Sequence, residues 1–162
     1  MKTLAVDDLD QDPGNRRAGQ QTGDHAQARR ERTFDRDQAT ASPSREDLAR
    51  LAASPSVVGI GETGLDYHYE PNTAREQRAL LDEMLALASA QSLPVILHNR
   101  DSDEDMMAHL RAHAAAWRGD PGRIGVLHCY TGGEAMARQL LDLGFFISFS
   151  GIVTFRNADP LR

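Results

Sequence analysis

The sequence contains little cysteine and no long apolar run. Cys129 is the only cysteine in 162 residues, which excludes an intrachain disulfide and favours a reducing compartment. No apolar run approaches the ~20 residues that a membrane-spanning helix needs. The first residues, MKTLAVDDLDQDPG, also lack the apolar core of a signal peptide. We therefore expect a cytoplasmic protein that does not enter a membrane.

Net positive charge is also absent. The formal charge is −6 at pH 7, so no global basic field exists to attract duplex nucleic acid without regard to sequence. A polyanionic substrate would have to be held locally, by metal ions or by a few arginines. The length suits one ordinary domain but is well below the ~250 residues of a typical eight-unit α/β barrel.

Residues 1–44 lack the patterns of regular secondary structure. Their few sizeable apolar side chains recur at neither the helical period of 3.6 nor the strand period of 2; they are Met1, Leu4, Val6, Leu9 and Phe34. Such a segment cannot bury enough surface to offset the entropy of ordering it. We expect it to be disordered or aberrant, and we place the domain at residues 45–162.

Residues 45–162 alternate between strand-like and helix-like patterns. Short apolar runs predict strands at 57–61, 95–98, 124–128 and 145–149. Apolar residues at helical spacing predict helices at 72–91, from 102 onwards, and at roughly 133–143. Thr73-x-x-Glu76 predicts a capping box, and Gly144 is placed to end the last helix. Apolar strands separated by helices indicate an α/β fold with a parallel sheet and flanking helices.

Three residues of metal-binding type fall at corresponding places in this pattern. Glu62 follows the first predicted strand, His98 ends the second and His128 ends the third. Because the carboxyl ends of parallel strands meet at one edge of a sheet, we expect the three side chains to converge. Two imidazoles and a carboxylate suit Zn²⁺ or a similar divalent ion. Each residue alone has an ordinary structural explanation, but the repeated placement favours a metal site.

The remaining histidines and the cysteine have weaker signals. His109 and His113 are four apart on a predicted helix, a spacing that can clamp a metal, but we expect them on its solvated face. His68 lies in a loop, where a surface role and substrate contact are both open. We expect Cys129 to be a small packing residue.

Four ordered segments, GIGETGLDYHY, LPVILHNRDSDED, GVLHCYTGG and GFFISFSGIVTFRNA, resemble the TatD-related metal-dependent hydrolases. These are TIM-barrel enzymes implicated in DNA exonuclease activity. The resemblance implies that residues 45–162 supply about strands four to seven of a (β/α)8 barrel. It also implies that Glu62 is the catalytic carboxylate bridging two divalent ions, and that His98 and His128 bind the second of them. The resemblance does not distinguish Zn²⁺, Mg²⁺ and Mn²⁺.

The sequence departs from the family pattern at both ends. Family members begin with a His-x-His pair after the first strand and carry an Asp after the last, and neither is identifiable here. With those ligands missing, we expect strongly reduced activity or none. The open edges of a four-stranded sheet also predict self-association.

The resemblance favours cleavage of DNA phosphodiester bonds by metal-activated water. Arg100 and Arg156 are candidate phosphate contacts, although a surface ion pair explains each arginine about equally well. Asp66 and Tyr67 are expected to orient metal ligands. Two alternatives stay open: hydrolysis of an amide or ester at a similar site, and an inactive truncated remnant or interaction piece.

Overall fold

The computed structural model describes residues 2–4 and 43–162, and within them one sheet contains five parallel strands in chain order. The strands are β1 (Lys2–Leu4), β2 (Val57–Asp66), β3 (Val95–Arg100), β4 (Gly125–Leu127) and β5 (Phe146–Ile147). The sequence patterns predicted four of them. The short strand β1, which pairs with β2, was not predicted, and the expected disorder of residues 5–42 lies outside the described residues.

In the described part of the chain, four α-helices separate the strands: α1 (Arg45–Ala52), α2 (Ala74–Gln91), α3 (Asp103–Ala116) and α4 (Glu134–Asp142). Short 3-10 helices occupy Pro71–Thr73, Pro121–Arg123, Gly151–Thr154 and Asp159–Leu161. Among the described helices, none combines the length and the apolar character needed to cross a bilayer. The predicted α/β class, with a parallel sheet and flanking helices, is confirmed.

The helix ends agree only in part with the sequence signals. Gly144 follows α4 with φ +89°, a left-handed conformation that favours glycine, as predicted. The prediction of a capping box at Thr73 is wrong. The Thr73 hydroxyl donates to the Glu70 carbonyl and accepts from the Gln77 amide, so it caps no helical N–H. The 3-10 turn at Pro71–Thr73 leads into α2 instead.

The hydrophobic core lies between the sheet and the helices. On the side of the sheet that faces the helices, alternate residues of β3 and β4 are fully or almost fully buried; these are Val95, Leu97 and Leu127. They meet apolar side chains from α2, α3 and α4, including Leu81, Met106, Leu110 and Leu140. Fully burying one such side chain contributes about 1.5–3 kcal/mol to folding. Because the core occupies the helix side of the sheet, polar side chains that could bind a ligand lie on the opposite face of these strands.

His113 belongs to this core, contrary to the expectation of a solvated face. It continues the buried stripe of Met106 and Leu110 on α3 and retains only 5% exposure. Its ring lies 5.5 Å from that of Trp117, and burial lowers its pKa. His109 turns the other way, and its Nδ1 lies 2.6 Å from the Asp82 carboxylate. The two histidines therefore do not share a metal site.

We predict that His113 makes the free energy of unfolding depend on pH. Its folded pKa is below the unfolded value of about 6.5, so the neutral ring supports the fold above that pH. The contribution is lost as pH falls through this value toward the folded pKa. Urea titrations at neutral and mildly acidic pH should show a smaller pH dependence for His113→Gln than for the wild type. His109→Gln is the matched control; an unchanged slope in His113→Gln would contradict the prediction.

Candidate metal centre

Strands β2, β3 and β4 bring three predicted ligands to one side of the sheet. His98 lies within β3 and His128 directly follows β4. Their strands pair in register, because Ile96 lies opposite Val126 and Leu97 opposite Leu127. His98 and His128 are each two residues beyond the Ile96–Val126 pair and therefore share its face, opposite the helices.

Glu62 reaches this face through an irregularity in β2. It lies inside the strand, rather than after it as the sequence suggested. Ile60 pairs with Val95, but Thr63 pairs with Leu97, so β2 contains one extra residue at this point. With strict alternation, Glu62 would share the helix-facing side with Ile60. The extra residue reverses the alternation and directs Glu62 toward the histidines.

The three side chains offer ligand atoms that all lie within 4.8 Å of one another. Oε1 of Glu62 is 3.4 Å from Nδ1 of His98 and 2.6 Å from Nε2 of His128. The side chains retain 44%, 32% and 25% exposure for Glu62, His98 and His128. All three side chains are thus partly exposed to solvent.

One nitrogen of the site needs a partner that the described residues do not provide. Nε2 of His128 is buried, and its approach to Glu62 lacks hydrogen-bond geometry despite the short distance. An unpaired buried polar atom is costly. A divalent cation would satisfy the His128 nitrogen and the Glu62 carboxylate together, and one oxygen with two nitrogens is a donor set that Zn²⁺ accepts. The residues present therefore fit a metal ion.

Asp66 borders this cluster at the end of β2. Its Oδ2 lies 3.1 Å from Nε2 of His98, while its Oδ1 accepts hydrogen bonds from the N–H groups of His68 and Tyr69. Burial opposes its ionisation, but the hydrogen bond from Tyr69 and the contact with His98 outweigh burial and lower the pKa of the carboxyl group. Asp66 therefore carries a negative charge beside a candidate ligand.

Tyr67 has a different environment from Asp66. Its hydroxyl donates to the Asp105 carboxylate at 2.6 Å, and Arg78 donates to the same oxygen at 2.7 Å. Burial and the bond to Asp105 raise the pKa of the Tyr67 hydroxyl. The group ties the loop after β2 to α2 and α3. Tyr67 contacts none of the three candidate ligands in these bonds, so its expected role in orienting ligands stays a prediction.

The two predicted phosphate contacts lie at the surface. Arg100 ends β3, two residues after His98 and hence on the same face. Its guanidinium carbon lies 5.1 Å from the centre of the exposed Tyr69 ring, within cation–π distance. Arg156 is exposed in the turn that follows Gly151–Thr154.

His68 and Cys129 are both at the surface of the same rim. Nδ1 of His68 lies 2.9 Å from the Asp101 carboxylate, which favours the surface role for this histidine. Cys129 is exposed, so the expectation that it packs in the core is wrong. It has φ +48° immediately after His128.

The family model described as TatD related DNase matches residues 23–162. The match therefore starts at residue 23, whereas the resemblance in the sequence motifs starts only at about residue 45. Over 117 residues, the chain is 50% identical to the uncharacterized metal-dependent hydrolase YcfH of Escherichia coli K12, covering 72% of this chain and 42% of YcfH. It is 40% identical over 108 residues to the 3'-5' ssDNA/RNA exonuclease TatD of Klebsiella pneumoniae, covering 67% and 39%.

A solved structure gives the same result for the fold. The TatD homologue YJJV from Escherichia coli K12 superposes with a TM-score of 0.62 at 35% identity, covering 71% of this chain and 43% of that chain. The chain therefore spans less than half the length of these relatives, in keeping with the predicted part of a barrel. The family match, the sequence identities and the shared fold agree: the chain belongs to the TatD-related DNase family.

Proposed function

We propose that this chain carries one metal site of a TatD-type hydrolase that cleaves phosphodiester bonds in single-stranded nucleic acid. The observation that carries the proposal is the convergence of Glu62, His98 and His128 within 4.8 Å in a member of this family. The K. pneumoniae relative is named as an exonuclease on single-stranded DNA and RNA, which supports the choice of substrate.

In this proposal Glu62, His98 and His128 hold a divalent ion, which supplies Lewis acidity and makes water a better nucleophile at neutral pH. The two imidazoles fix the ion from β3 and β4, whose buried residues hold them in place. Glu62 provides the negative charge and is the most exposed of the three, so its carboxylate is accessible to water and to a substrate. The resemblance assigns it the bridging position in a two-metal site.

Arg100 and Arg156 contact the phosphate groups of the substrate in this proposal. Both guanidinium groups are exposed, and guanidinium matches phosphate oxygens in bidentate geometry. Arg100 lies beside Tyr69, whose exposed ring offers a surface on which a base can stack. The net charge of −6 fits a protein that grips a strand end locally rather than one that follows long duplexes. The cytoplasmic location stays a prediction.

We predict that removing any one of the three ligands strongly reduces metal binding. Outer-shell partners alone cost roughly 10–100-fold in affinity, so loss of a direct ligand should cost at least as much. Zinc titration calorimetry on the wild type and on Glu62→Ala, His98→Ala and His128→Ala measures this directly. His109→Ala, a histidine on α3 paired with Asp82, is the matched control. Equal affinity in all five proteins would reject the site and favour the remnant.

We predict metal-dependent cleavage of a single-stranded oligonucleotide that EDTA abolishes. Arg100→Ala should weaken oligonucleotide binding by roughly tenfold or more, because a hydrogen bond to a charged group is worth about 1.5–3 kcal/mol. Fluorescence anisotropy measures binding separately from turnover. Arg118→Ala is the control, since Arg118 donates to the Ala115 and Trp117 carbonyls at the carboxyl end of α3.

The same assay separates the alternative functions. Faster hydrolysis of simple amides or esters than of phosphodiesters would favour a different hydrolase. Metal binding without turnover on any of these substrates would favour the inactive remnant.

We also propose that the chain self-associates through the sheet edge at β5. Phe146 on this edge strand is 58% exposed, and it lines an open apolar pocket of about 410 Å³ together with Val58, Ile96 and Val126. A second copy would cover this surface and pair the open edge.

Sedimentation velocity should show a concentration-dependent oligomer that Phe146→Lys shifts toward monomer. Leu141→Lys replaces a similarly exposed apolar residue on α4 and should leave the oligomer intact. A wild-type protein that stays monomeric at high concentration would refute the proposal.

A further inference from the structure

We propose that Asp66 is a positioning residue that fixes which nitrogen of His98 faces the metal site. That the site binds a metal rests on the proposed function, whereas the tautomer of His98 can be measured in the metal-free protein. Oδ2 of Asp66 lies 3.1 Å from Nε2 of His98, and Nδ1 of the same ring lies 3.4 Å from Oε1 of Glu62. The ring of His98 thus lies between two carboxylates, with one nitrogen toward each.

The tautomer follows from the contact between the Asp66 carboxylate and Nε2 of His98. An ionised carboxylate only accepts hydrogen bonds, so Nε2 of His98 must carry the proton that it donates to Asp66. Nδ1 of the neutral ring then carries no proton, and its lone pair faces the side of Glu62. This is the nitrogen that is available to a cation, and a carboxylate behind the ring increases its basicity.

The position of Asp66 is itself fixed from two sides. The amide side chain of Gln77 on α2 accepts from the Asp66 N–H at 2.7 Å and donates to the Asp66 carbonyl at 3.0 Å. The second side-chain oxygen, Oδ1, accepts from the N–H groups of His68 at 3.0 Å and Tyr69 at 2.9 Å. The bonds from Gln77 hold the backbone of Asp66, and its carboxylate cannot turn away from His98 without breaking the two bonds at Oδ1.

The same contacts join the candidate ligand to the loop at the mouth of the site. The N–H groups of His68 and Tyr69 donate to Oδ1 of Asp66, while Oδ2 contacts His98, and Arg100 lies over the Tyr69 ring. One carboxylate thus sets both the direction of a candidate metal ligand and the conformation of the chain at residues 68 and 69.

Asp66→Asn separates these two roles because the shapes of the side chains are nearly identical. The amide oxygen of Asn can still accept from His68 and Tyr69, but its NH2 group would face Nε2 of His98 and donate to it. We expect the loop to survive and the His98 tautomer to reverse, with the proton on Nδ1. Asp66→Ala should lose the loop contacts as well. Asp101→Asn is the matched control, because Asp101 contacts His68 at the same rim and carries the same charge.

Imidazole ¹⁵N NMR of the metal-free proteins reads the tautomer, with the His98 signals assigned by their absence in His98→Ala. At about pH 8.5, above the range in which protein imidazoles usually titrate, the wild type and Asp101→Asn should show a protonated Nε2 on His98. Asp66→Asn should show a protonated Nδ1. Amide exchange at residues 68 and 69 should remain slow in Asp66→Asn and become fast in Asp66→Ala.

Zinc affinity by calorimetry should fall by roughly 10–100-fold in Asp66→Asn and remain within about twofold of the wild type in Asp101→Asn. An unchanged His98 tautomer in Asp66→Asn would overturn the proposal, as would unchanged zinc affinity. If the wild type shows the expected tautomer but binds no zinc, the proposed metal function fails while the positioning of His98 by Asp66 stands.

Discussion

The extra residue in β2 is the constraint on which the candidate site depends. The core fixes one face of β3 and β4 against the helices, which places His98 and His128 on the other face. A regular β2 would send Glu62 to the helix side, where a charged carboxylate would be costly to bury. The register shift between Ile60 and Thr63 moves it to the face of the histidines. Packing of the core against the helices, together with the extra residue in β2, thereby places all three candidate ligands on the opposite face of the sheet.

Glycine makes this close arrangement possible. Gly61 has φ +148°, and a Cβ there would lie 2.6 Å from the Ile96 carbonyl oxygen. Gly64 pairs with His98, and a Cβ on it would lie 1.9 Å from the His98 carbonyl oxygen. Side chains at these two positions would push β2 away from β3. The sequence GETG is therefore explained by a strand that must approach its neighbour closely while it turns one carboxylate outward.

The periodic features of the fold could be predicted from the sequence, and the irregular ones could not. Apolar runs and helical spacing located β2 to β5 and α2 to α4, and the spacing of three polar residues predicted their convergence. The extra residue in β2 has no periodic signature, so Glu62 was expected after the strand rather than inside it. His113 was predictable, since it continues the stripe of Met106 and Leu110. Strand β1 lies in a segment without an apolar pattern, and only its pairing with β2 reveals it.

We expect Glu62, His98 and His128 to bind one divalent ion. A crystal structure of the protein loaded with Zn²⁺, with the anomalous signal collected at the zinc edge, tests it most directly. The anomalous peak should lie at about 2.0–2.2 Å from one Glu62 oxygen and from one nitrogen of each imidazole. A peak elsewhere on the protein, with these three side chains uncoordinated, would contradict it.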